Sequence, residues 1–254
     1  MKWKQIFFTV LLSLLAVGVI TFMKPRQYLS VATAVPASSY TSDKSRIFSE
    51  NIEALYSALG DPDDLDRVLG TAKLDTVYLA VADRFNLFDH YKVKEKGEAA
   101  RSKSASLLKK NTVVMKSEYG DLKVKVWDTD KNLAPQLANA VLEQLQAMHT
   151  SLLNAGNKAT LKALIERKEK MQQQADSASA KRNELIGSQL ATYEKMIGEY
   201  QLMVDSKPPA LITVENAKPA TRPDRPRRLQ IMAATAVLSL LFALLAAVVL
   251  ERKK

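Results

Sequence analysis

Residues 6–23 read IFFTVLLSLLAVGVITFM and residues 229–250 read LQIMAATAVLSLLFALLAAVVL. The first is an apolar run of 18 residues, and the second is a run of 22 with no charge inside. A helix rises 1.5 Å per residue, so about 20 residues cross a hydrocarbon layer roughly 30 Å thick. Both runs reach that length, the first barely. About 205 residues lie between them, and about five and four residues lie outside them. The expected architecture is therefore a large domain tethered at both ends to one face of a membrane. The first run could instead be a signal peptide, since Lys2 and Lys4 give it a basic start. Lys24, Pro25 and Arg26 make a poor small-residue cleavage site, which favours an uncleaved anchor.

Topology is less determined than the spans. Lys2, Lys4, Arg252, Lys253 and Lys254 lie outside the runs, whereas Lys24, Arg26, Lys218, Arg222, Arg225, Arg227 and Arg228 flank them on the inside. A simple count of positive charges does not place the termini in the cytoplasm. The positive-inside rule applies to short loops, however, and the short basic tails pull towards cytoplasmic ends.

Among 254 residues there is no cysteine, which removes disulfides, thiolate metal sites and cysteine nucleophiles without fixing the compartment. The net charge of +10 is densest beside the apolar runs, as membrane anchoring would have it. Residues 92–96 and 222–228 are basic but lack the interleaved aromatics of a nucleic-acid face, so no nucleic-acid partner is expected. The two histidines, His90 and His149, are far apart, and no glycine-rich phosphate loop or nucleophile elbow occurs. Glu166 and Glu169 lie among lysines and arginines on a charged helical face. No enzymatic chemistry and no cofactor or metal is expected. Asp61, Asp63, Asp64 and Asp66 invite a calcium reading, yet the glycine and the closing glutamate of an EF-hand loop are missing. Helix capping accounts for them more simply.

Between the runs, residues 28–35 (YLSVATAV) alternate and are rich in β-branched types, which predicts a strand ended by Pro36. Ser42 or Asp43 caps an expected helix to about Leu59, and a turn follows at residues 60–64. Leu74, Val77, Tyr78, Val81, Phe85 and Phe88 predict one helix over 71–88, and another is expected over 97–109. Residues 112–118 and 122–127 flank a Tyr-Gly-Asp turn, the pattern of a β-hairpin. From residue 130 to about 205 the chain is helical in pattern and almost free of glycine. Leu137, Val141, Leu145, Met148 and Leu152 form one seam at heptad-like steps; Ile186, Leu190, Tyr193, Ile197, Tyr200 and Val204 form a second. The polar stretch 166–183 between them suits the solvated tip of a helical hairpin lifted about 65 Å by its helical rise. A single continuous rod is the alternative, disfavoured because the chain must return to its second span. Gly156 and Asn157 are placed to kink the ascending arm. Residues 210–215 (ALITVE) read as a return strand able to pair with 28–35. Pro219, Pro223 and Pro226 then alternate with Arg222, Arg225, Arg227 and Arg228 in a stiff, extended strut whose arginines can hold anionic lipid headgroups.

Three local patterns in succession resemble the polysaccharide copolymerases, the Wzz-type chain-length determinants. They are the Tyr28-x-Ser30-x-Ala32 strand after an N-terminal span, the VKVWD run at 124–128 with Asp130 and APQLAN at 134–139, and the proline-rich 217–226 leading into the last span. The resemblance covers nearly the whole chain in order. It implies a two-pass bacterial inner-membrane protein with cytoplasmic termini and a periplasmic central domain. It implies copies assembled into a ring or bell, a separate polysaccharide polymerase as partner, and the growing glycan as a further candidate ligand. Such proteins set the length of O-antigen, capsule or exopolysaccharide chains and are not enzymes. The chain departs from many relatives in its short central domain and in ending at Lys254 with no kinase module, which puts the kinase-linked subtype in doubt.

The expected fold class is thus α+β, two transmembrane helices flanking a membrane-proximal α/β domain with a long protruding helical hairpin. Its expected divisions are a tail at 1–5, a span at 6–23, the α/β domain at 24–129, the helical arm at 130–205, the return strand and strut at 206–228, a span at 229–250 and a tail at 251–254. Expected assembly residues are Leu137, Val141, Leu145, Met148, Ile186, Leu190, Tyr193 and Ile197. The expected membrane-proximal motif is Pro219, Pro223, Pro226, Arg227 and Arg228. Two rival classes are an export adaptor or tether and an extracytoplasmic sensor. Residues 251–254 are too few for a signalling module, and the lipoyl-like β domains of export adaptors are not legible.

Overall fold

The computed structural model describes residues 3–37, 64–176 and 180–252. Its elements run α1 (Trp3–Met23), β1 (Tyr28–Pro36), α2 (Asp64–Thr71), α3 (Asp75–Arg84), α4 (Leu87–His90), α5 (Glu98–Lys110), β2 (Thr112–Lys116), β3 (Leu122–Asp128), α6 (Leu133–Asp176), α7 (Ala180–Ser206), β4 (Leu211–Glu215) and α8 (Arg228–Arg252). The four strands form one sheet in the order β2-β3-β1-β4. The fold is α+β with an apolar helix near each terminus. By compactness the chain divides into two units: residues 1–30, 126–136 and 218–254, and residues 31–125 and 137–217.

In the first unit, α1 and α8 pack against each other. Their 21 and 25 residues give lengths of about 31 and 37 Å. The most apolar windows, Ile6–Met23 and Arg228–Ala246, have mean hydropathies of 2.6 and 2.2. Gly18 faces Met232 across the pair: a Cβ there would make an ordinary contact 3.8 Å from the Met232 sulfur. Ile6, Thr21 and Ala243 are buried, while Phe7, Phe8, Leu15, Leu238 and Phe242 point outward. The hydroxyls of Thr9, Ser13, Thr235 and Ser239 donate to carbonyls three or four residues back on their own helices. No hydroxyl among those four therefore needs water, which suits hydrocarbon surroundings.

The same unit contains the start of α6. Asp128 is 1 % exposed, and its Oδ1 accepts the Asp130 N–H at 2.8 Å. Asp130 Oδ1 in turn accepts the Asn132 N–H at 2.8 Å, and Pro135 falls in the first helical turn, where no N–H is required. The acidic residues just before the long helix thus do the work of caps.

In the second unit, burial alternates along β1, with Ala32 and Ala34 fully buried. β4 pairs antiparallel with β1, Pro36 opposite Leu211, Val35 opposite Ile212 and Ala34 opposite Thr213. The next pair is Thr33 with Glu215, so Val214 is the extra residue of a bulge. The β2–β3 turn uses Gly120 at φ 78°, with Ser117 hydrogen-bonded to Asp121 across it. Leu65, Val77, Val81, Leu87, Leu108, Leu122, Val124, Leu137, Leu142, Leu145 and Leu211 are fully or almost fully buried and form the core. At its surface, Arg101 clasps Asp83, Arg84 meets Glu143 at 2.6 Å, and Lys109 reaches both Asp75 and the Lys73 carbonyl.

Two expectations are corrected here. The helix expected over 71–88 is broken: α3 stops at Arg84, Asn86 takes left-handed φ 49°, and a four-residue α4 follows. Asparagine tolerates that conformation, and the break lets Leu87 turn fully inward while Phe88 stays 40 % exposed. Gly156 and Asn157 do not interrupt α6, which runs unbroken for 44 residues. A lone glycine costs a helix only about 1 kcal/mol, small against so long an element. The helix expected at 42–59 and the turn residues 61–63 lie outside the described residues; Asp66 faces Lys116 at 3.9 Å.

Two arms are observed in place of one rod. Lys168 meets Glu194 at 2.8 Å, and Thr150 accepts the Ala210 N–H at 3.2 Å. Positions late in α6 therefore face positions early in α7, and positions earlier in α6 face the chain just beyond α7, an antiparallel register. Beyond Leu145, the buried apolar residues of the arms among the described residues are Leu161, Ile186 and Tyr200.

The core placement makes a sharp distinction. Leu145→Ala should cost about 2–5 kcal/mol, whereas Leu202→Ala, at a side chain 68 % exposed, should change the thermal midpoint little. Equal losses in a melting experiment on the purified chain would refute the assignment of Leu145 to the core.

His149 carries a pH dependence. The Thr71 hydroxyl gives its one proton to the Val68 carbonyl, so His149 Nε2 donates in the 2.6 Å contact with Thr71 Oγ1. Burial lowers the His149 pKa below its usual 6.5, because the charged ring is poorly solvated. The unfolded chain then takes up a proton that the folded chain refuses, so stability falls as pH drops through 6.5 and levels off below the folded value. His149→Gln should flatten the melting temperature between pH 7.5 and 5.5; an unchanged slope would count against it.

Candidate functional site

The span-bearing unit holds a compact junction where the chain leaves α1 and returns to α8. A proline-rich segment cannot build a regular ladder, because each proline lacks an N–H. The junction instead uses a few bonds concentrated on Gln27. Its N–H donates to the Arg225 carbonyl at 2.9 Å, and its own carbonyl accepts the N–H groups of Asp224 and Arg225 at 2.9 and 3.3 Å. Ser30 adds a hydrogen bond from Oγ to the Lys218 carbonyl at 3.0 Å. The segment that enters α8 is thus stapled to the segment that leaves α1.

Trp127, at the end of β3, locks this staple from the side. Its indole Nε1 donates to Asp224 Oδ2 at 2.8 Å, and the Arg225 guanidinium lies 3.7 Å from the centre of its ring. Stacking of this kind contributes about 0.5–2 kcal/mol, rising as water is excluded. The Trp127 hydrogen bond, followed by Arg227, holds the Asp224 carboxyl below its ordinary range. Asp224 therefore stays ionised and orders Arg227, whose Nη2 is 3.3 Å away. Arg228 opens α8 and covers the face of Phe22 at the end of α1, 4.5 Å from its ring centre.

Two adjoining clefts open beside this knot. One of about 460 Å³ is lined by Arg26, Asp224, Arg227, Arg228, Leu229, Gln230 and the prolines at 223 and 226. The other, about 420 Å³, is lined by Lys24, Pro25, Gln27, Arg225, Pro226, Arg227 and Ile231. Lys24 and Arg26 have no hydrogen-bond or ion-pair partner among the described residues. The buried Nε of Arg228 has no hydrogen-bond partner either. The result is an anion-seeking surface with apolar walls.

Of the expected motif, Pro223, Pro226, Arg227 and Arg228 come together at these clefts, while Pro219 lies near the Lys218–Ser30 bond. The expected assembly residues are placed differently from one another. Leu137, Val141 and Leu145 are fully buried inside the protomer and belong to its own core. Ile186 is buried in α7, whereas Met148, Leu190, Tyr193 and Ile197 are half-buried. Among the described residues, the exposed large aliphatics of the arms are Leu152 at 58 %, Leu202 at 68 % and Ile165 at 39 %. Gln27 and Asp224 were given no individual role in sequence, and Trp127 and Asn139 entered only as members of the 124–128 and 134–139 patterns. Asn139 Oδ1 accepts the Ala217 N–H at 2.8 Å, tying the return segment to α6 within the second unit. The one available signal was the lone tryptophan in an otherwise lysine-valine strand.

No family model matches the chain, and no curated protein matches it. Solved structures similar to it include two polysaccharide co-polymerases. A full-length bacterial polysaccharide co-polymerase is 12 % identical, with a TM-score of 0.39, covering 99 % of this chain and 94 % of its own. A fragment of WzzB, a polysaccharide co-polymerase from Salmonella Typhimurium, is 13 % identical, with a TM-score of 0.41, covering 79 % of this chain and all of the fragment.

Proposed function

We propose that this chain is a non-enzymatic, two-pass inner-membrane scaffold of the polysaccharide copolymerase type, acting with a separate polymerase to set the length of a surface polysaccharide. The observation that carries the reading is the junction: two apolar helices packed together, with Gln27 and Arg225 joined beside their ends. Both ends of the intervening chain then enter the bilayer side by side, as a domain hung from one membrane face requires. The ordered succession of the 28–32, 124–139 and 217–226 patterns supports the family, and the long paired arms α6 and α7 suit a scaffold better than a catalyst.

Copies associate, in this reading, through the arms. Because Leu137, Val141 and Leu145 are spent on the protomer core, the surface left to a neighbour is the exposed Leu152, Ile165 and Leu202 with the half-buried Leu190, Tyr193 and Ile197. The termini lie in the cytoplasm and residues 24–228 in the periplasm. Anionic lipids meet the arginines of 222–228.

The length reading is tested on the glycan itself. Deleting the gene should broaden or shift the polysaccharide ladder on a gel while export continues, and plasmid-borne wild type should restore it. An unchanged ladder with export blocked would replace the scaffold by an adaptor.

Topology is tested on a cysteine-free background. Tyr119 on the β2–β3 turn is 91 % exposed, so Tyr119→Cys gives a single reporting thiol. A membrane-impermeant maleimide should label it in spheroplasts with an intact inner membrane. Labelling seen only after lysis would put the domain in the cytoplasm and end the scaffold reading.

A further inference from the structure

We infer that the cleft between residues 24–27 and 223–230 is a binding site for a lipid bearing a doubly charged phosphate headgroup, in the leaflet on the side of the central domain. The inference deepens the anionic-lipid contact of the proposed function and rests on its two-span reading, but not on its glycan reading.

Charge sets the ligand class. Lys24, Arg26, Arg225, Arg227 and Arg228 face one carboxylate, Asp224, around the two clefts. Asp224 is already held by Trp127 and Arg227, and Arg225 is laid over the Trp127 ring, so these groups shape the wall. Among the described residues Arg26 and Lys24 have no hydrogen-bond or ion-pair partner, and the Arg228 Nε is buried without an acceptor. A buried guanidinium nitrogen with nothing to bond to is costly unless a ligand supplies the acceptor. The guanidinium fork matches two phosphate oxygens at once, which an ammonium cannot do. Leu229 and Gln230 line the same cleft, and as first-turn residues their N–H groups have no acceptor within α8. A surplus of several positive charges suits a phosphomonoester or diphosphate, with about two negative charges at neutral pH, better than a singly charged diester.

The walls set the source. Leu229 lines the larger cleft at 88 % exposure, and Ile231 lines the smaller. Both open α8 at the point where its apolar window begins. A phosphate seated among the arginines therefore has an apolar lane running down the helix for a lipid tail. Free phosphate would leave that lane empty.

The test uses the full chain in a neutral detergent and isothermal titration with three probes: short-chain phosphatidic acid, short-chain phosphatidylglycerol and inorganic phosphate. Phosphatidic acid should bind at least about fivefold more tightly than phosphatidylglycerol, the effect of one added charge interaction at such a surface. Arg26→Gln and Arg228→Gln should each weaken phosphatidic acid binding by about fivefold, and Arg26→Lys should keep part of what Arg26→Gln loses. Lys162→Gln, on the exposed arm, should change nothing. Equal affinity for the two lipids, or indifference to Arg26→Gln, overturns the site. Inorganic phosphate binding as tightly as phosphatidic acid makes it a free-phosphate site and overturns the lipid. Because Arg228 packs on Phe22, the wild-type comparison of the two lipids decides the matter if Arg228→Gln does not fold. Flotation of the wild type with neutral vesicles keeps the outcomes apart: a chain that floats but shows no preference refutes this site alone, and one that does not float refutes the two-span reading beneath it.

Discussion

Everything in the span-bearing unit depends on closing a gap that regular secondary structure cannot close. Two helices enter hydrocarbon side by side, and the strand leaving one must be fixed to the proline-rich segment entering the other. Prolines at 219, 223 and 226 forbid a ladder there, so fixation falls to isolated bonds. Each is worth about 0.5–1.5 kcal/mol net, and Gln27 gathers three of them on a single residue. Trp127 adds a hydrogen bond and a cation–π contact to consecutive residues, Asp224 and Arg225. A stiff extended segment loses little entropy when pinned at so few points, which is why a small number of bonds suffices.

Much of this architecture was legible in the chain because it is written in local periodicity. The apolar runs, the alternation of β1, the turn around Gly120 and the long helical arms each depend on residues close in sequence. The pairing of β1 with β4 was readable because both are β-branched runs beside the spans. What was not legible depends on three-dimensional neighbours. Trp127 and Asp224 are 97 residues apart, and neither belongs to a repeating pattern. Asn86 broke an otherwise even helical spacing because a left-handed asparagine satisfies tertiary packing that periodicity does not record. The heptad-like steps were real, but spacing alone does not say whether a seam meets a second copy or the chain itself. Full burial of Leu137, Val141 and Leu145 assigns that part of the seam to the protomer core.

The sheet edge shows a related economy. β4 is an edge strand with Ile212 and Val214 exposed, a surface that could recruit foreign strands. Pro208 and Pro209 precede it, a bulge at Val214 disturbs its register, and Pro219 follows. Bulges and prolines at an edge discourage indefinite pairing through open backbone.

Charge is distributed by the same logic. On the second unit opposite charges are interleaved and settle in pairs, Arg101 with Asp83, Arg84 with Glu143 and Lys168 with Glu194. Such exposed pairs contribute little stability and leave little net field. Beside the spans the sequence is lopsided: residues 24–26 and 218–228 carry Lys24, Arg26, Lys218, Arg222, Arg225, Arg227 and Arg228 but one carboxylate, Asp224. Seven positives less one carboxylate is six, more than half of the chain's net +10. Repulsion among these cations is relieved only in part by Asp224 beside Arg227, Trp127 under Arg225 and Phe22 under Arg228. In the two-span reading proposed above, headgroup phosphates at the level where these helices begin and end would offset the remainder.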